Sequence, residues 1–235
     1  MKSLITNPFQ SKFTKVSSFI YRVPTLVFSH SVNLRFHFRL AKNYFDQVPT
    51  AQFHYISEHL ELLDLTNNYM IEIGSNEFYQ LHFLKTLIIN DMPELTIIEP
   101  FAFHGLEHLE TLELKNNPKL TIISKHAFYK SIEIEPYDVH HLDISQNSLK
   151  SIPEDLLPWS KIKELNLSGN PWKCDCAMSW LVTSGAQLDK YLVCDSPEHL
   201  SGKPIKDLTL SDFECRGNHL VILLVFYLKE ICQKI

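Results

Sequence analysis

Cysteine is missing from most of the chain, since none of the five cysteines occurs before residue 174. A cysteine-free body followed by a cysteine cluster indicates that the cluster has one local role. Four of these residues can pair with one another, namely Cys174, Cys176, Cys194 and Cys215. Cys232 is then left over, and we expect it to be a free thiol without a role.

Glycine and proline are also scarce, at 6 and 12 of 235 residues, and the chain has no low-complexity tract. With 21% charged residues, this composition is typical of a folded protein rather than a disordered one. The net charge of −5 gives no basic stripe of the kind that nucleic-acid-binding proteins carry. We therefore expect no nucleic acid partner.

An export signal is missing from the first 30 residues, where Leu4-Ile5 is followed closely by Asn7, Pro8 and Lys12. A secretory signal needs about 7–15 apolar residues in a row. Either the signal is not part of this sequence or the chain is not exported.

Catalytic motifs are absent as well: the sequence has no G-x-S-x-G, no H-E-x-x-H, no phosphate loop and no dinucleotide fingerprint. We expect no enzymatic activity, no metal site and no cofactor. His141 and Asp143 alternate on a predicted strand and would share one face. A metal or acid–base pair is one interpretation of these two residues, and a solvated pair on a sheet surface is the favoured one.

The chain does have a repeat with a period of 25 residues. The residues that follow this period are Phe28, Phe53, Phe78, Phe103 and Phe128. Each follows a branched aliphatic residue by five positions, and these are Val23, Val48, Ile73, Ile98 and Ile123, with Ile152 and Leu157 continuing the pattern. A fixed period of this length predicts stacked repeats whose aromatic rings form a continuous apolar spine.

A second pattern, L-x-x-L-x-L-x-x-N-x-L-x-x-I, lies upstream of each aromatic residue. Its clearest copy is Leu60, Leu63, Leu65, Asn68, Met70 and Ile73. Further copies begin at Leu84, Leu109, Val139 and Ile162, a fair copy covers residues 35–48, and residues 10–34 hold a degraded one. This pattern resembles the leucine-rich repeat family over residues 20–170, with about six repeats of which the first is degenerate. The resemblance implies an α/β repeat fold, a curved solenoid with parallel strands on its concave face.

Within each L-x-L segment the middle residue points away from the core, because side chains alternate along a strand. The apolar residues Leu62 and Ile88 lie among charged positions on this open face, which is the pattern of an apolar anchor with a polar rim. The candidate ligand-binding residues are Arg39, Leu62, Asp64, Ile88, Glu113, His141 and Asp143. We expect a protein ligand with a basic, partly apolar patch; the alternative is a solvated face without a partner.

Two local features bear on this face. The connection around residues 131–138 is about five residues longer than its neighbours, which indicates either a binding loop or a tolerated surface insertion. The single glycosylation sequon, Asn166-Leu167-Ser168, falls on the open face of the last repeat. A glycan there would close that end to a partner, although an unused sequon is the other interpretation.

Residues 171–215 resemble the cysteine-rich C-terminal cap of extracellular leucine-rich repeat proteins of the Slit, Nogo-receptor and chaoptin kind. The resemblance implies the bonds Cys174–Cys194 and Cys176–Cys215, whereas the sequence alone permits three pairings. A zinc site is the rival hypothesis, but the C-x-C spacing fits it poorly. The residues expected to cover the last repeat are Trp172, Trp180, Leu181 and Phe213. Disulfides predict an oxidising compartment, and hence an extracellular or cell-surface protein.

The two ends remain poorly defined: residues 1–19 have no clear pattern, and residues 216–235 form a hydrophobic tail. The apolar run of residues 220–228 is shorter than the roughly 20 residues of a spanning helix. It could be a truncated membrane segment, a helix packed on the cap or a translated artefact. The missing signal and the missing N-terminal cap are both explained if the true N-terminus lies upstream.

The function predicted from these patterns is that of a non-enzymatic extracellular module that binds a protein ligand on the concave sheet face. One alternative is an ectodomain fragment of a transmembrane signalling receptor, attached to the membrane through a missing or truncated segment. The other is the targeting module of a larger enzyme of the peroxidasin kind. The sequence does not separate these three.

Overall fold

The computed structural model describes residues 35–53, 56–128, 139–213 and Cys215. The strands are β1 (Phe36–Arg39), β2 (Leu60–Asp64), β3 (Glu72–Ile73), β4 (Thr86–Ile88), β5 (Ile97–Ile98), β6 (Thr111–Glu113), β7 (Ile122–Ile123), β8 (His141–Asp143) and β9 (Glu164–Asn166). One short helix, α1, covers Thr50–Phe53. The predictions for Phe28, for the insertion around residues 131–138 and for the apolar run at residues 220–228 fall outside the described residues.

The strands form two parallel sheets that grow by one strand per repeat. The larger sheet has the order β1-β2-β4-β6-β8-β9, and the smaller has the order β3-β5-β7. In the larger sheet, one leucine per repeat stays in register from strand to strand: Leu63, Leu87, Leu112, Leu142 and Leu165. This stack of parallel strands confirms the predicted leucine-rich repeat solenoid.

Alternation along each strand puts the leucines of the L-x-L segments into the core. In β4, Leu87 is buried whereas Thr86 and Ile88 on either side are half-buried, and β6 and β8 repeat the pattern. The residues between the leucines therefore form the open face of the six-stranded sheet, as predicted. Each fully buried leucine stabilises the stack by roughly 1.5–3 kcal/mol before entropy is subtracted.

Each repeat turns away from the sheet through one residue with a left-handed backbone. Five of these residues have φ of 55–59°, namely Lys42, Asn67, Asp91, Asn116 and Gln146, and Gly169 has φ of 70° in the last repeat. Asparagine and aspartate tolerate this conformation because their short polar side chains bond locally. The turn therefore needs few glycines, which agrees with their scarcity in the sequence.

A ladder of buried asparagines follows these turns and joins neighbouring repeats. Asn117 donates from Nδ2 to the carbonyls of Ile89 (3.0 Å) and Leu114 (2.8 Å), and its Oδ1 accepts from the N–H of Met92 (2.8 Å). Asn68, Asn147 and Asn170 bond in the same way. Met92 takes the asparagine position in one repeat, where its sulfur lies 3.3 Å from the N–H of Asn68.

The predicted aromatic spine is present wherever the structure describes it. Phe53, Phe78 and Phe103 are at most 1% exposed, and Phe128 is 6% exposed. The rings of Phe78 and Phe103 stack with centroids 6.4 Å apart, and those of Phe103 and Phe128 are 4.6 Å apart. Leu157 continues the spine as a buried residue in the repeat that contains β8.

The segments that return from one strand to the next contain much less helix than an α/β repeat suggests. In the described repeats they consist of turns, the four-residue helix α1, a short 3₁₀ helix at Trp159–Lys161 and the two-residue strands of the smaller sheet. These segments are too short to repay the cost of nucleating a longer helix. The smaller sheet pairs Ile73 with Ile98 and Ile98 with Ile123, so the predicted branched aliphatic residues line it.

The C-terminal cap is closed by the bonds Cys174–Cys194 and Cys176–Cys215, the pairing that the resemblance implies. The residues predicted to cover the last repeat, Trp172, Trp180, Leu181 and Phe213, are all buried. Two indole N–H groups tie the cap to the repeats: Trp172 donates to the carbonyl of Leu167 (2.8 Å), and Trp180 donates to that of Ile152 (3.2 Å).

Within the described part of the chain, no helix has the length and apolar character needed to cross a membrane.

Candidate functional site

The open face of the six-stranded sheet consists of side chains held in rows by the parallel register. One row contains Arg39, Asp64, Ile88, Glu113, Asp143 and Asn166. The neighbouring row contains His37, Leu62, Thr86, Thr111, His141 and Glu164. Adjacent strands are about 4.8 Å apart, so the rows form a continuous surface across six repeats.

The apolar part of this face lies on β2 and β4. Leu62 and Ile88 are both half-buried on the open side, with Leu62 paired to Thr86 and Asp64 paired to Ile88. The two apolar side chains therefore sit diagonally on adjacent strands, a distance of about 7–8 Å that long side chains bridge. Arg39 is exposed on the neighbouring strand β1, beside Asp64.

Glu61 lies in β2 beside this apolar pair and forms ion pairs with one residue just before β1 and one just before β4. Its Oε1 lies 2.9 Å from a guanidinium nitrogen of Arg35 and 3.2 Å from Nζ of Lys85. Desolvation raises the pKa of Glu61, but the hydrogen bond from Lys85 and the charges of Arg35 and Lys85 outweigh it, so the pKa is lowered. Asp64 is held in place because its Oδ1 accepts from the N–H of Thr66 at 3.0 Å.

Glu113, in the middle of the face, is fixed by two neighbours. Its Oε2 accepts from Nδ2 of Asn90 at 2.7 Å and lies 3.2 Å from Nζ of Lys115. The hydrogen bond and the charge of Glu113 raise the pKa of Lys115, and the charges of Asp143 and Asp91 add to this. One of the three acidic residues in the predicted row thus has its charge compensated by a lysine on the same face.

His141 and Asp143 share the open face of β8, as predicted, but their bonds go to other residues. Nδ1 of His141 lies 3.0 Å from a carboxylate oxygen of Glu164. Asp143 accepts from the N–H and hydroxyl of Ser145 through Oδ1, and from Nδ2 of Asn166 through Oδ2. Among the described residues, no group of three or more His, Cys, Asp or Glu is placed to hold a metal ion.

A groove of about 730 Å³ lies over β6, β8 and β9 at the C-terminal end of the face. Its floor contains the predicted residues Glu113, His141 and Asp143. The cap supplies its wall through Gln187, Leu188 and Asp189, and Lys115 and Lys163 also line it. The other predicted residues, Arg39, Leu62, Asp64 and Ile88, lie outside the groove on the N-terminal half of the sheet.

Sequence reasoning missed the cap wall of this groove. Gln187, Leu188 and Asp189 lie about twenty residues beyond β9 and carry no repeat or motif signal. These three residues line the groove because of the tertiary fold of the disulfide-bonded cap. A local sequence pattern does not predict that fold. Lys163 lies just before β9 and follows the repeat pattern, but a lysine at that position is ordinary on a surface.

Two family models match the chain. Residues 71–173 match the BspA type leucine rich repeat region with six copies, and residues 192–216 match the leucine rich repeat C-terminal domain. The first match covers β3 to β9 and omits β1 and β2, and the second covers the second half of the disulfide-bonded cap.

Similar curated proteins share short stretches with this chain. Toll-like receptor 6 of Bos taurus is 30% identical over 93 residues, which is 36% of this chain and 12% of that protein. Phospholipase A2 inhibitor of Gloydius brevicaudus siniticus is 37% identical over 68 residues, which is 26% of this chain and 20% of that protein. Chondroadherin of Mus musculus is 31% identical over 71 residues, which is 28% of this chain and 19% of that protein. This chain therefore spans at most a fifth of the length of these three relatives.

A solved structure supports the fold. A chain of the octameric complex of Latrophilin 3 (Lec, Olf), Unc5D (Ig, Ig2, TSP1) and FLRT2 (LRR) superimposes with a TM-score of 0.61. The sequence identity is 24%, and the superposition covers 78% of this chain and 55% of that one. The two family matches, together with the parallel-strand repeats and the disulfide-bonded cap, identify the chain as a leucine-rich repeat protein with a cysteine-rich C-terminal cap.

Proposed function

We propose that this chain is a non-enzymatic, extracellular or cell-surface module that binds a protein ligand on the open face of its six-stranded sheet. The main support is the strand register of the sheet, which places half-buried Leu62 and Ile88 diagonally beside each other among charged side chains. Protein interfaces typically use such an apolar centre with a polar rim. The family supports a role in protein interaction, and the two disulfides support an oxidising compartment.

The charge of the face indicates the chemistry of the partner. Asp64, Glu113 and Asp143 project from one row, and Glu61 and Glu164 lie beside it. Glu61 and Glu113 form ion pairs with basic side chains of this chain. Asp64 and Asp143 instead accept hydrogen bonds from uncharged N–H and O–H donors, with Arg39 on the strand beside Asp64 and the charge of Lys115 near Asp143. We infer that the partner brings lysine or arginine to Asp64, together with an apolar group that packs on Leu62 and Ile88.

The test is a binding screen in which the full chain is biotinylated, coupled to tetravalent streptavidin and applied to an array of purified ectodomains. The ectodomain that retains the chain is then used for affinity measurements. The triple variant Asp64→Lys, Glu113→Lys and Asp143→Lys reverses the charge of the row. We expect it to weaken binding of the captured ectodomain at least tenfold, and we expect wild-type binding to fall as salt rises, because charge attraction is screened.

A matched control changes the same number of charges away from this face. Glu58, Glu72 and Asp155 are exposed and lie outside the six-stranded sheet, so their lysine variant should bind as wild type does. Circular dichroism must first show that both triple variants are folded. Equal loss of binding in the two variants, or unchanged binding in the first, would place the site elsewhere.

A receptor ectodomain is the second candidate function, because the similar proteins include Toll-like receptor 6 and Toll-like receptor 2. In that case the chain is joined to a membrane span that is separate from the described repeats. The sequences of the transcripts that encode this chain distinguish the candidates: an in-frame span of about 20 apolar residues favours the receptor, and an in-frame catalytic domain favours an enzyme's targeting module.

A further inference from the structure

The sequon Asn166-Leu167-Ser168 occupies the last strand of the sheet and the residues directly after it. Asn166 is exposed on β9, Leu167 is buried at 3% exposure, and Ser168 is half-buried. The hydroxyl of Ser168 donates to Oδ1 of Asn166 at 2.8 Å, and the Ser168 N–H donates to the same oxygen at 3.2 Å. The backbone is thus anchored by the buried leucine, while the Asn166 side chain is exposed on the open face, where Nδ2 donates to Oδ2 of Asp143 at 3.2 Å.

The two disulfides of the cap indicate which cellular compartment the chain passes through. The bonds Cys174–Cys194 and Cys176–Cys215 form in an oxidising compartment. In animal cells that compartment also contains the enzyme that glycosylates Asn-x-Ser/Thr sequons. The cap begins only a few residues after the sequon, so the same chain that acquires the disulfides presents Asn166 to this enzyme.

We propose that Asn166 carries an N-linked glycan whose first sugars lie in the part of the groove over β8 and β9, against the cap. The glycan then closes the C-terminal end of the open face and confines a protein partner to β1, β2, β4 and β6. The attachment of the glycan stands independently of the proposed function, and only the confinement of the partner rests on it.

The chemistry is a glycosyl transfer from a lipid-linked oligosaccharide diphosphate. Nδ2 of Asn166 forms a bond to C1 of the first N-acetylglucosamine, and the bond from C1 to the diphosphate oxygen breaks, with its electron pair leaving on the diphosphate. Nδ2 loses one of its two protons, which passes to the departing diphosphate and from there to water. One N–H remains, and it is available to keep the 3.2 Å hydrogen bond to Oδ2 of Asp143.

The groove suits the first sugar because of what lines it. Gln187 and Asp189 offer an amide and a carboxylate to sugar hydroxyls, and Leu188 offers an apolar surface to the sugar ring. The volume of about 730 Å³ opens directly beside Asn166, which is itself part of the lining. In this arrangement the cap wall holds the glycan over β8 and β9 and away from Leu62 and Ile88.

The first test asks whether the glycan is attached. The full chain is directed through the secretory pathway of cultured animal cells and treated with peptide-N-glycosidase F after denaturation. We expect the electrophoretic mobility to shift by one glycan, with Asn166 converted to aspartate in the mass spectrum. Asn166→Gln and Ser168→Ala should abolish the shift, whereas Ser168→Thr and the control Asn116→Gln should retain it. An unshifted chain that contains both disulfides would overturn the proposal.

The second test asks where the glycan lies, using the rate of enzymatic release from the native protein. We expect release to be at least fivefold slower before reduction and denaturation than after, and the variant Leu188→Gly to release faster than wild type while its disulfides remain intact. Equal rates before and after denaturation would overturn the placement in the groove. Neither test uses a protein partner, so their failure is distinguishable from failure of the proposed binding function.

Discussion

At the scale of single residues, two polar ladders determine how the repeats stack. The left-handed residue of each turn before the last donates its backbone N–H to the next repeat, as Lys42 does to the carbonyl of Thr66 at 2.8 Å. The asparagine that follows it satisfies backbone groups that the turn leaves unpaired. The asparagines were predictable from the sequence because they recur at a fixed offset from the leucines. The left-handed residues were not, since Lys42 and Gln146 have no special preference for that backbone and adopt it because the stack requires it.

Asn117 is the residue at which loss of the ladder should be most costly. Its replacement by alanine leaves the Met92 N–H and the carbonyls of Ile89 and Leu114 without their side-chain partner in a buried site. We expect the free energy of unfolding to fall by about 2–4 kcal/mol, measured by urea denaturation. Asn43→Ala is the control, because Asn43 is half-buried and, within the described part of the chain, its hydrogen bonds go to the carbonyls of Leu40 and Ala41 in its own turn. An equal loss at the two positions would contradict the ladder's role.

Gly105 allows a close approach between two repeats. A Cβ at this position would lie 2.6 Å from the backbone oxygen of Tyr79, and φ is +87°. Gly202 has a similar φ of +78° but has no heavy atom within 4 Å of the same Cβ position. Gly202→Ala should therefore cost about 1–2 kcal/mol from the backbone alone, and Gly105→Ala should cost roughly 3 kcal/mol or more. Thermal denaturation of the two variants checks this, and equal melting temperatures would be contrary to it.

At the scale of strands and sheets, the apolar pattern predicted most of what the structure contains. The L-x-L segments became the six-stranded sheet in the predicted register, because a shift of one residue would expose every leucine. The smaller sheet was not predicted, since strands of two residues such as Ile97–Ile98 are too short to show alternation. The ion pair of Lys115 with Glu113 and the cap wall at Leu188 also escaped prediction, because both depend on tertiary placement.

The aromatic spine is the element whose contribution is simplest to measure. Phe78 is 0% exposed and stacks on Phe103, so Phe78→Ala leaves a cavity and should cost about 3–5 kcal/mol in urea denaturation. Phe83 is 50% exposed and stacks on His108, so Phe83→Ala should cost less than about 1 kcal/mol. A small effect at Phe78 would mean that the repeats do not depend on the spine.

At the scale of the whole molecule, the cap closes the apolar end of the stack and supplies one wall of the groove. All three tryptophans, Trp159, Trp172 and Trp180, lie at this end and are buried. The rings of Trp159, at the end of the repeat that contains β8, and Trp180, in the cap, are 5.1 Å apart at their centroids. Tryptophan emission therefore reports on the junction between the repeats and the cap, while far-UV circular dichroism reports on the sheets.

Reduction of the two disulfides should loosen this junction before it unfolds the repeats. The bonds close segments with sequence separations of 20 and 39 residues, and each contributes on the order of 3–4 kcal/mol. After reduction, we expect the tryptophan emission to shift to the red at a lower urea concentration than the loss of circular dichroism. Cys232→Ser should leave both transitions unchanged, because Cys232 takes part in neither bond. Coincident transitions in the reduced protein would show that the cap and the repeats unfold as one unit.

The central claim is that a protein partner contacts the open face of the six-stranded sheet. Carboxylate footprinting of the chain, alone and in complex with the ectodomain that it captures, tests this most directly. We predict that labelling of Asp64 and Glu113 slows in the complex, while labelling of Glu58, Glu72 and Asp155 does not change. Protection of Glu72 with continued labelling of Asp64 and Glu113 would contradict the claim.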